Sequence, residues 1–90
     1  MSLIHFMSFT VYILQSEVTE RYYCGQTDDI KQRLKRHNSA EVKSTKHGVP
    51  WKLITIINCD TRAESMKLET TIKKRGVKRW LEEHPDFLKW

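Results

Sequence analysis

Five polar side chains in this sequence have the types and spacing that phosphate chemistry uses. Tyr12 and Tyr23 lie eleven residues apart, Arg33 follows ten later, His37 four after that, and Glu69 opens the run E-T-T-I-K. Hydrolysis of a phosphodiester needs a base for the attacking water, positive charge for the phosphorane, a cation for the leaving oxygen, and positioning. Each need has a candidate. Tyr12, assisted by His37, is the candidate base, although a tyrosine at its ordinary pKa of about 10 needs a nearby cation or metal to serve. Tyr23 orients water or phosphate. Arg33 is permanently charged and offers phosphate oxygens a bidentate fork. Glu69, an acidic residue inside a basic segment, suits one Mg²⁺ or Mn²⁺ ion completed by water and substrate oxygens. Taken singly, each has a plainer reading. A strand tyrosine usually packs, an arginine usually solvates, His37 can serve its helix's C-terminal dipole, and Glu69 can pair with Lys73 at i, i+4.

These residues must be brought together by the chain. Phe9 to Leu14 (FTVYIL) is β-branched and aromatic and predicts a strand. Gln15 to Glu20 is turn-like, and Arg21 to Gly25 predicts a second strand that Gly25 ends, the two forming an antiparallel hairpin. Partners across a hairpin share a face, so both tyrosine hydroxyls project on one side if paired residue numbers sum to an odd value. Thr27 and Asp28 are N-cap candidates for a helix over IKQRLKRHN, whose Ile30, Leu34 and His37 form a stripe. Arg33 and His37 then fall at the rim of the helix–sheet interface. Ser39 to Pro50 is a long polar loop, and such loops are more often functional than idle. Trp51 to Asn58 predicts the third and most hydrophobic strand, expected to be central or buried. Asp60 or Thr61 caps a second helix reaching about Lys74; Gly76 breaks it, and Val77 to Glu83 forms a third that His84-Pro85 ends. Ala63, Met66, Leu68 and Ile72 do not make one clean apolar stripe on the second helix.

The prediction is one α+β domain spanning 1–90, with its core at about 9–83. It has the order β-β-α-β-α-α, a small three-stranded antiparallel or mixed sheet, and about three helices packed on it. Ninety residues allow one small core, so each large apolar side chain counts. Trp51 and Trp80 are assigned to that core. Cys24 and Cys59 fit no metal spacing and are expected as reduced core thiols. The apolar runs are too short to span a bilayer, and Met1 to Phe9 lacks the features of a signal peptide, leading instead into the first strand. A cytoplasmic monomer is expected.

Charge adds an argument about partners. The net charge is +5. The segments Asp29–Lys52 and Arg62–Arg79 each carry seven Lys or Arg against two acidic residues, and the remainder of the chain is acidic. A segregated basic surface attracts polyanions, nucleic acid first among them. Lys31, Arg36, Lys43, Lys46, His47 and Lys73 are the candidate contacts.

Val11-Tyr12-Ile13 and Tyr23-Cys24-Gly25, with the downstream spacing of Arg33, His37 and Glu69, resemble the signatures of the GIY-YIG nucleases over roughly Thr10 to Leu81. The chain is similar to short standalone bacterial members of that superfamily. The resemblance implies that the five residues act as one catalytic set, with Glu69 as metal ligand, and that the long loop brings a basic side chain near the phosphate. It implies an endonuclease acting on DNA ahead of RNA and selective for strand or structure. The alternatives are a nucleic-acid-binding module of the same fold with little or no turnover, and a structural protein whose charge is incidental. The sequence departs from the pattern at Thr10 (glycine in the motif), Cys24 (aliphatic) and Ser65 (commonly alanine).

Overall fold

The computed structural model describes residues 9–88; the segment before Phe9, expected to lead into the first strand, lies outside the described residues. Strand β1 (Phe9–Ser16) and strand β2 (Tyr22–Thr27) form the hairpin, followed by helix α1 (Ile30–Asn38). After the long loop, which contains a single 3-10 turn at Lys46–Gly48, come strand β3 (Trp51–Cys59), helices α2 (Arg62–Arg75) and α3 (Val77–Glu83), and a 3-10 turn at Pro85–Leu88. The sheet is wholly antiparallel with order β2-β1-β3. This is the expected α+β architecture with its β-β-α-β-α-α order.

β1, not β3, is the central strand. Its residues Thr10 to Leu14 are all buried, because helices cover both faces of the sheet at this point. Val11 and Ile13 face one way and pack with Cys24, Ile72, Trp80 and Leu81. Tyr12 and Leu14 face the other way, with Trp51 and the partly buried Tyr23, Ile30, Leu34 and Ile56. Full burial of side chains such as Val11, Ile13 and Leu14 contributes about 1.5–3 kcal/mol each. β3 is hydrophobic although it lies at an edge, and a register shift explains part of its pattern. Between Ile13 and Leu14 the pairing skips Ile54, so Ile54 and Thr55 both turn toward the Val11 face.

Local chemistry sets the helix ends. α1 is capped by Asp29, whose Oδ1 accepts from the Gln32 backbone N–H at 3.1 Å. Thr27 and Asp28 are therefore not the cap; the Thr27 hydroxyl instead accepts from the Asp29 N–H at 3.1 Å, making the turn before the helix. Thr61 caps α2 through the Glu64 N–H, and Gly76 ends it with φ of 92°, a conformation that disfavours any side chain. The buried line of α2 runs through Ser65, Leu68 and Ile72, while Met66 is half exposed. An apolar stripe was not visible because a serine occupies one of its positions.

Gly25 does not end β2, which continues to Thr27. Gly25 pairs with Tyr12, and a Cβ there would stand 2.6 Å from the Tyr12 Oη and 3.0 Å from Tyr23 Cε2. Glycine is required because the Tyr12 ring lies across the strand backbone. Gly25→Ala is expected to destabilise the domain by about 1–3 kcal/mol, the usual cost of overpacking. Thermal denaturation checks this, since each 1 kcal/mol lowers Tm by roughly 4–8 °C at this size.

Candidate active site

The hairpin register gives the tyrosines one face. Tyr12 pairs with Gly25 and Leu14 with Tyr23, so the tyrosines are diagonal neighbours, with ring centroids 6.2 Å apart. α1 lies over this face, and the His37 ring enters between them, 5.7 Å from Tyr12 and 5.0 Å from Tyr23. His37 is completely buried, inside the helix–sheet interface rather than at its rim.

His37 is held at both nitrogens. Nε2 lies 2.8 Å from the Tyr12 hydroxyl, and Nδ1 lies 2.7 Å from the Thr45 hydroxyl. The Thr45 hydroxyl itself donates to the Val42 carbonyl at 3.4 Å. That assignment makes Thr45 the acceptor of Nδ1–H and leaves Nε2 to accept the Tyr12 proton. Thr45 belongs to the long loop, and the loop is tied down at several points. Trp51 Nε1 donates to the Thr45 carbonyl (2.8 Å), and Ser16 Oγ donates to the Gly48 carbonyl (2.6 Å). Asn38 exchanges two hydrogen bonds with the Trp51 backbone, at 2.6 and 3.0 Å. The loop is thus a fixed wall of the cluster.

The environment sets the titration of the pair. Burial, then the neighbouring Tyr23, pushes the Tyr12 hydroxyl up to about 12, against a lowering influence from Arg33. The His37 pKa is lowered, first by burial and then by Arg33 and Arg36. The pair rests with tyrosine protonated and histidine neutral. For stability the sign follows directly: the unfolded histidine, with a pKa of about 6.5, binds its proton at higher pH than the folded one. His37's contribution is complete above about 6.5 and is lost as pH falls below it. Melting curves across this range are expected to show Tm falling on acidification, with a shallower fall in His37→Gln.

Glu69 and Lys73 approach from α2, which packs on the opposite face of the sheet. Because β2 is an edge strand, a long side chain can pass around it, and Lys73 Nζ stands 5.9 Å from the centroid of the Tyr23 ring. Glu69 forms an ion pair with Lys73 at 2.6 Å and raises Tyr12 and Cys24 through its charge. Among the described residues there is no cluster of three or more His, Cys, Asp or Glu. A divalent ion here would have one protein carboxylate. That donor set suits a hard, well-hydrated cation whose remaining ligands are water and phosphate oxygens, and does not suit a tightly caged one.

The other expected contacts are more dispersed. Lys31, Arg36, Lys43, Lys46 and His47 are exposed. His47 lines an open cavity of about 520 Å³ with Arg21, Tyr22, Tyr23, Ser44 and Trp51, beside the tyrosine cluster. Arg36 lies a loose 4.0 Å from Glu41. Cys24 is buried as a thiol pushed up to about 12, mainly by burial, whereas Cys59 is only partly covered. Thr45, Arg21 and Arg62 were not singled out from sequence, and Gly25 was read there as the end of its strand and part of the motif, not as room for a ring. Only Gly25 carried a usable signal, since its two-residue offset from Tyr23 places both on one face of the strand.

No described helix is long and apolar enough to cross a membrane. Comparison with known proteins agrees with the geometry. Residues 8–84 match the model of the GIY-YIG catalytic domain. A UPF0213 protein of Lactococcus lactis subsp. cremoris (strain SK11) is 36% identical over 69 residues, covering 76% of this chain and 69% of the relative. The UPF0213 protein YsiG of L. lactis subsp. lactis (strain IL1403) is 35% identical over 72 residues, covering 79% and 68%. The solution NMR structure of a UPF0213 protein from Bacillus halodurans superposes with a TM-score of 0.53 and 30% identity, covering 92% of this chain and 86% of that one. The chain belongs to the GIY-YIG catalytic-domain family, a nuclease family, and is similar to its small UPF0213 proteins.

Proposed function

We propose that this protein is a divalent-metal-dependent endonuclease that hydrolyses phosphodiester bonds in DNA, selecting its substrate by strand or structure. The observation that carries the reading is the buried Tyr12–His37 hydrogen bond at 2.8 Å, with Arg33 close enough to lower the Tyr12 pKa. A buried tyrosine hydroxyl needs an acceptor, and a neutral histidine held at both nitrogens is one that can also take the proton.

The attacking water gives its proton to the Tyr12 oxygen while the Tyr12 proton passes to His37 Nε2. His37 keeps its orientation through Nδ1–H to Thr45. Because burial disfavours a charged His37, the proton is held there only transiently: it passes back to the Tyr12 oxygen as Tyr12 gives its own proton to the leaving oxygen or to solvent. Arg33 carries the growing negative charge of the phosphorane, and Tyr23 orients the water or the phosphate. Glu69 would hold one Mg²⁺ or Mn²⁺, which when bound neutralises charge on the leaving oxygen. Lys31, Arg36, Lys43, Lys46, His47 and Lys73 hold the flanking phosphates. No protein partner is required.

One observation favours the second reading, a nucleic-acid-binding domain without turnover: the Glu69 carboxylate is already engaged by Lys73 at 2.6 Å. Incubating the protein with labelled single strands, duplexes, flaps and RNA at low salt separates the two. Cutting in Mg²⁺ or Mn²⁺ that stops in EDTA supports the nuclease. Binding without cutting in any metal supports the binding module.

A further inference from the structure

A second cavity shares Arg33 with the surroundings of Tyr12. This cavity, of about 330 Å³, is lined by Phe9, Gln26, Thr27, Asp28, Arg33 and Arg62. At about 30 Å³ per water, it holds on the order of ten waters, room for a phosphate and part of its sugar. Two guanidinium groups from different helices line it, Arg33 from α1 and Arg62 at the start of α2. Among the described residues neither is in an ion pair with a carboxylate, although Asp28 lines the same cavity. With two arginines and the one carboxylate of Asp28 among its lining residues, the open space carries a net positive charge that suits an anion.

The walls are prepared for such an anion. Arg62 Cζ lies 5.4 Å from the centroid of the Phe9 ring, a cation–π contact that holds the guanidinium against the wall. Ser65 Oγ lies 2.7 Å from both the Gln26 side-chain amide and the Arg62 backbone carbonyl, which ties the Gln26 side chain to the start of α2 in the cavity wall. Arg33 is common to this cavity and to the surroundings of Tyr12. An anion held between Arg33 and Arg62 would share Arg33 with a phosphate at Tyr12.

We propose that this cavity is a second phosphate subsite, in which Arg62, Arg33 and Gln26 hold the backbone phosphate adjoining the one at Tyr12. The assignment rests on the nuclease reading and extends it to Arg62, Gln26 and Phe9. Adjacent phosphates occur in a polynucleotide and not in a mononucleotide, so the site selects for chain. It also gives the substrate a direction, with the strand passing from the Arg62 cavity across the tyrosines toward the cavity at Arg21 and His47.

The test is binding in EDTA, where cleavage plays no part. Fluorescence anisotropy with labelled single-stranded and duplex DNA would be measured over a salt series for wild type, Arg62→Ala and Lys52→Ala. Lys52 is exposed on β3, at the sheet edge opposite β2, and controls for loss of one positive charge. Circular dichroism verifies that each variant is folded. Arg62→Ala is expected to weaken binding and reduce the slope of log K against log salt by about 0.7–0.9, the loss of one phosphate contact. Lys52→Ala should keep the wild-type slope. If Arg62→Ala keeps the wild-type slope, or Lys52→Ala loses as much, the subsite is wrong and the nuclease reading stands. If wild type binds neither DNA at low salt, the nuclease reading itself fails.

Discussion

Replacing Tyr12 with Phe is expected to lower the cleavage rate by about 10²- to 10⁴-fold, the range of a general base. The aromatic ring stays, so packing against Leu14, Trp51 and Gly25 is retained. What disappears is the hydroxyl hydrogen-bonded to His37, the oxygen proposed to take the water's proton. A stability cost accompanies the change, because His37 Nε2 is left buried without its donor, and such a group costs about 1–3 kcal/mol. Thermal melting measures that cost separately, and single-turnover cleavage well below Tm measures the chemistry. Tyr23→Phe supplies the contrast. Among the described residues no hydrogen bond holds its hydroxyl, so the tyrosine that orients is expected to lose less rate than the tyrosine that transfers the proton.

Glu69→Ala is expected to abolish metal-stimulated cleavage. The ion would supply several kcal/mol of charge stabilisation, and at about 1.36 kcal/mol per tenfold its loss reaches at least 10²-fold. The Lys73 pair does not stand in the way. Lys73 is half exposed but Glu69 only 20% exposed, so this half-sheltered pair is worth on the order of 1 kcal/mol, and a divalent ion displaces the ammonium at modest cost. Removing Lys73 should therefore tighten Mn²⁺ binding only slightly, whereas removing Glu69 should eliminate it. Titration of Mn²⁺ followed by electron paramagnetic resonance reads both effects without any cleavage.

The odd-sum register was permitted but not forced by the hairpin loop, whereas the hairpin and the three helices could be read from the sequence because each rests on local alternation, capping or helical spacing. The order of strands in the sheet could not. β3 is as hydrophobic as a central strand, and only the third dimension shows that β1 is the one covered on both faces. Gly25 was misread for a similar reason: glycine as a strand terminator is a local rule, whereas its role here is to make room for a ring on another strand. Tyr12, Tyr23 and His37 meet in one cluster with Arg33 close to Tyr12, while Glu69 comes from the helix on the opposite face of the sheet, and two features of depth were not legible. His37 lies inside the core, because a histidine with both nitrogens bonded can be buried neutral, and its second partner Thr45 comes from a loop whose path has no periodic signal. Arg62 was counted only as charge, since a residue's share in a cavity depends on the crossing of α2 past β2. The resemblance to the GIY-YIG nucleases supplied what spacing alone did not, the judgement that five ordinary side chains form one set.

The most direct test of the central claim is a side-by-side single-turnover assay of wild type, Tyr12→Phe and Glu69→Ala, each verified as folded, on a labelled DNA substrate in Mg²⁺. The prediction is that wild type cuts and both variants lose at least about 10² of its rate. Equal cutting by wild type and either variant would contradict the assignment of proton transfer to Tyr12 or of metal binding to Glu69, and equal cutting by all three would place the activity outside this site.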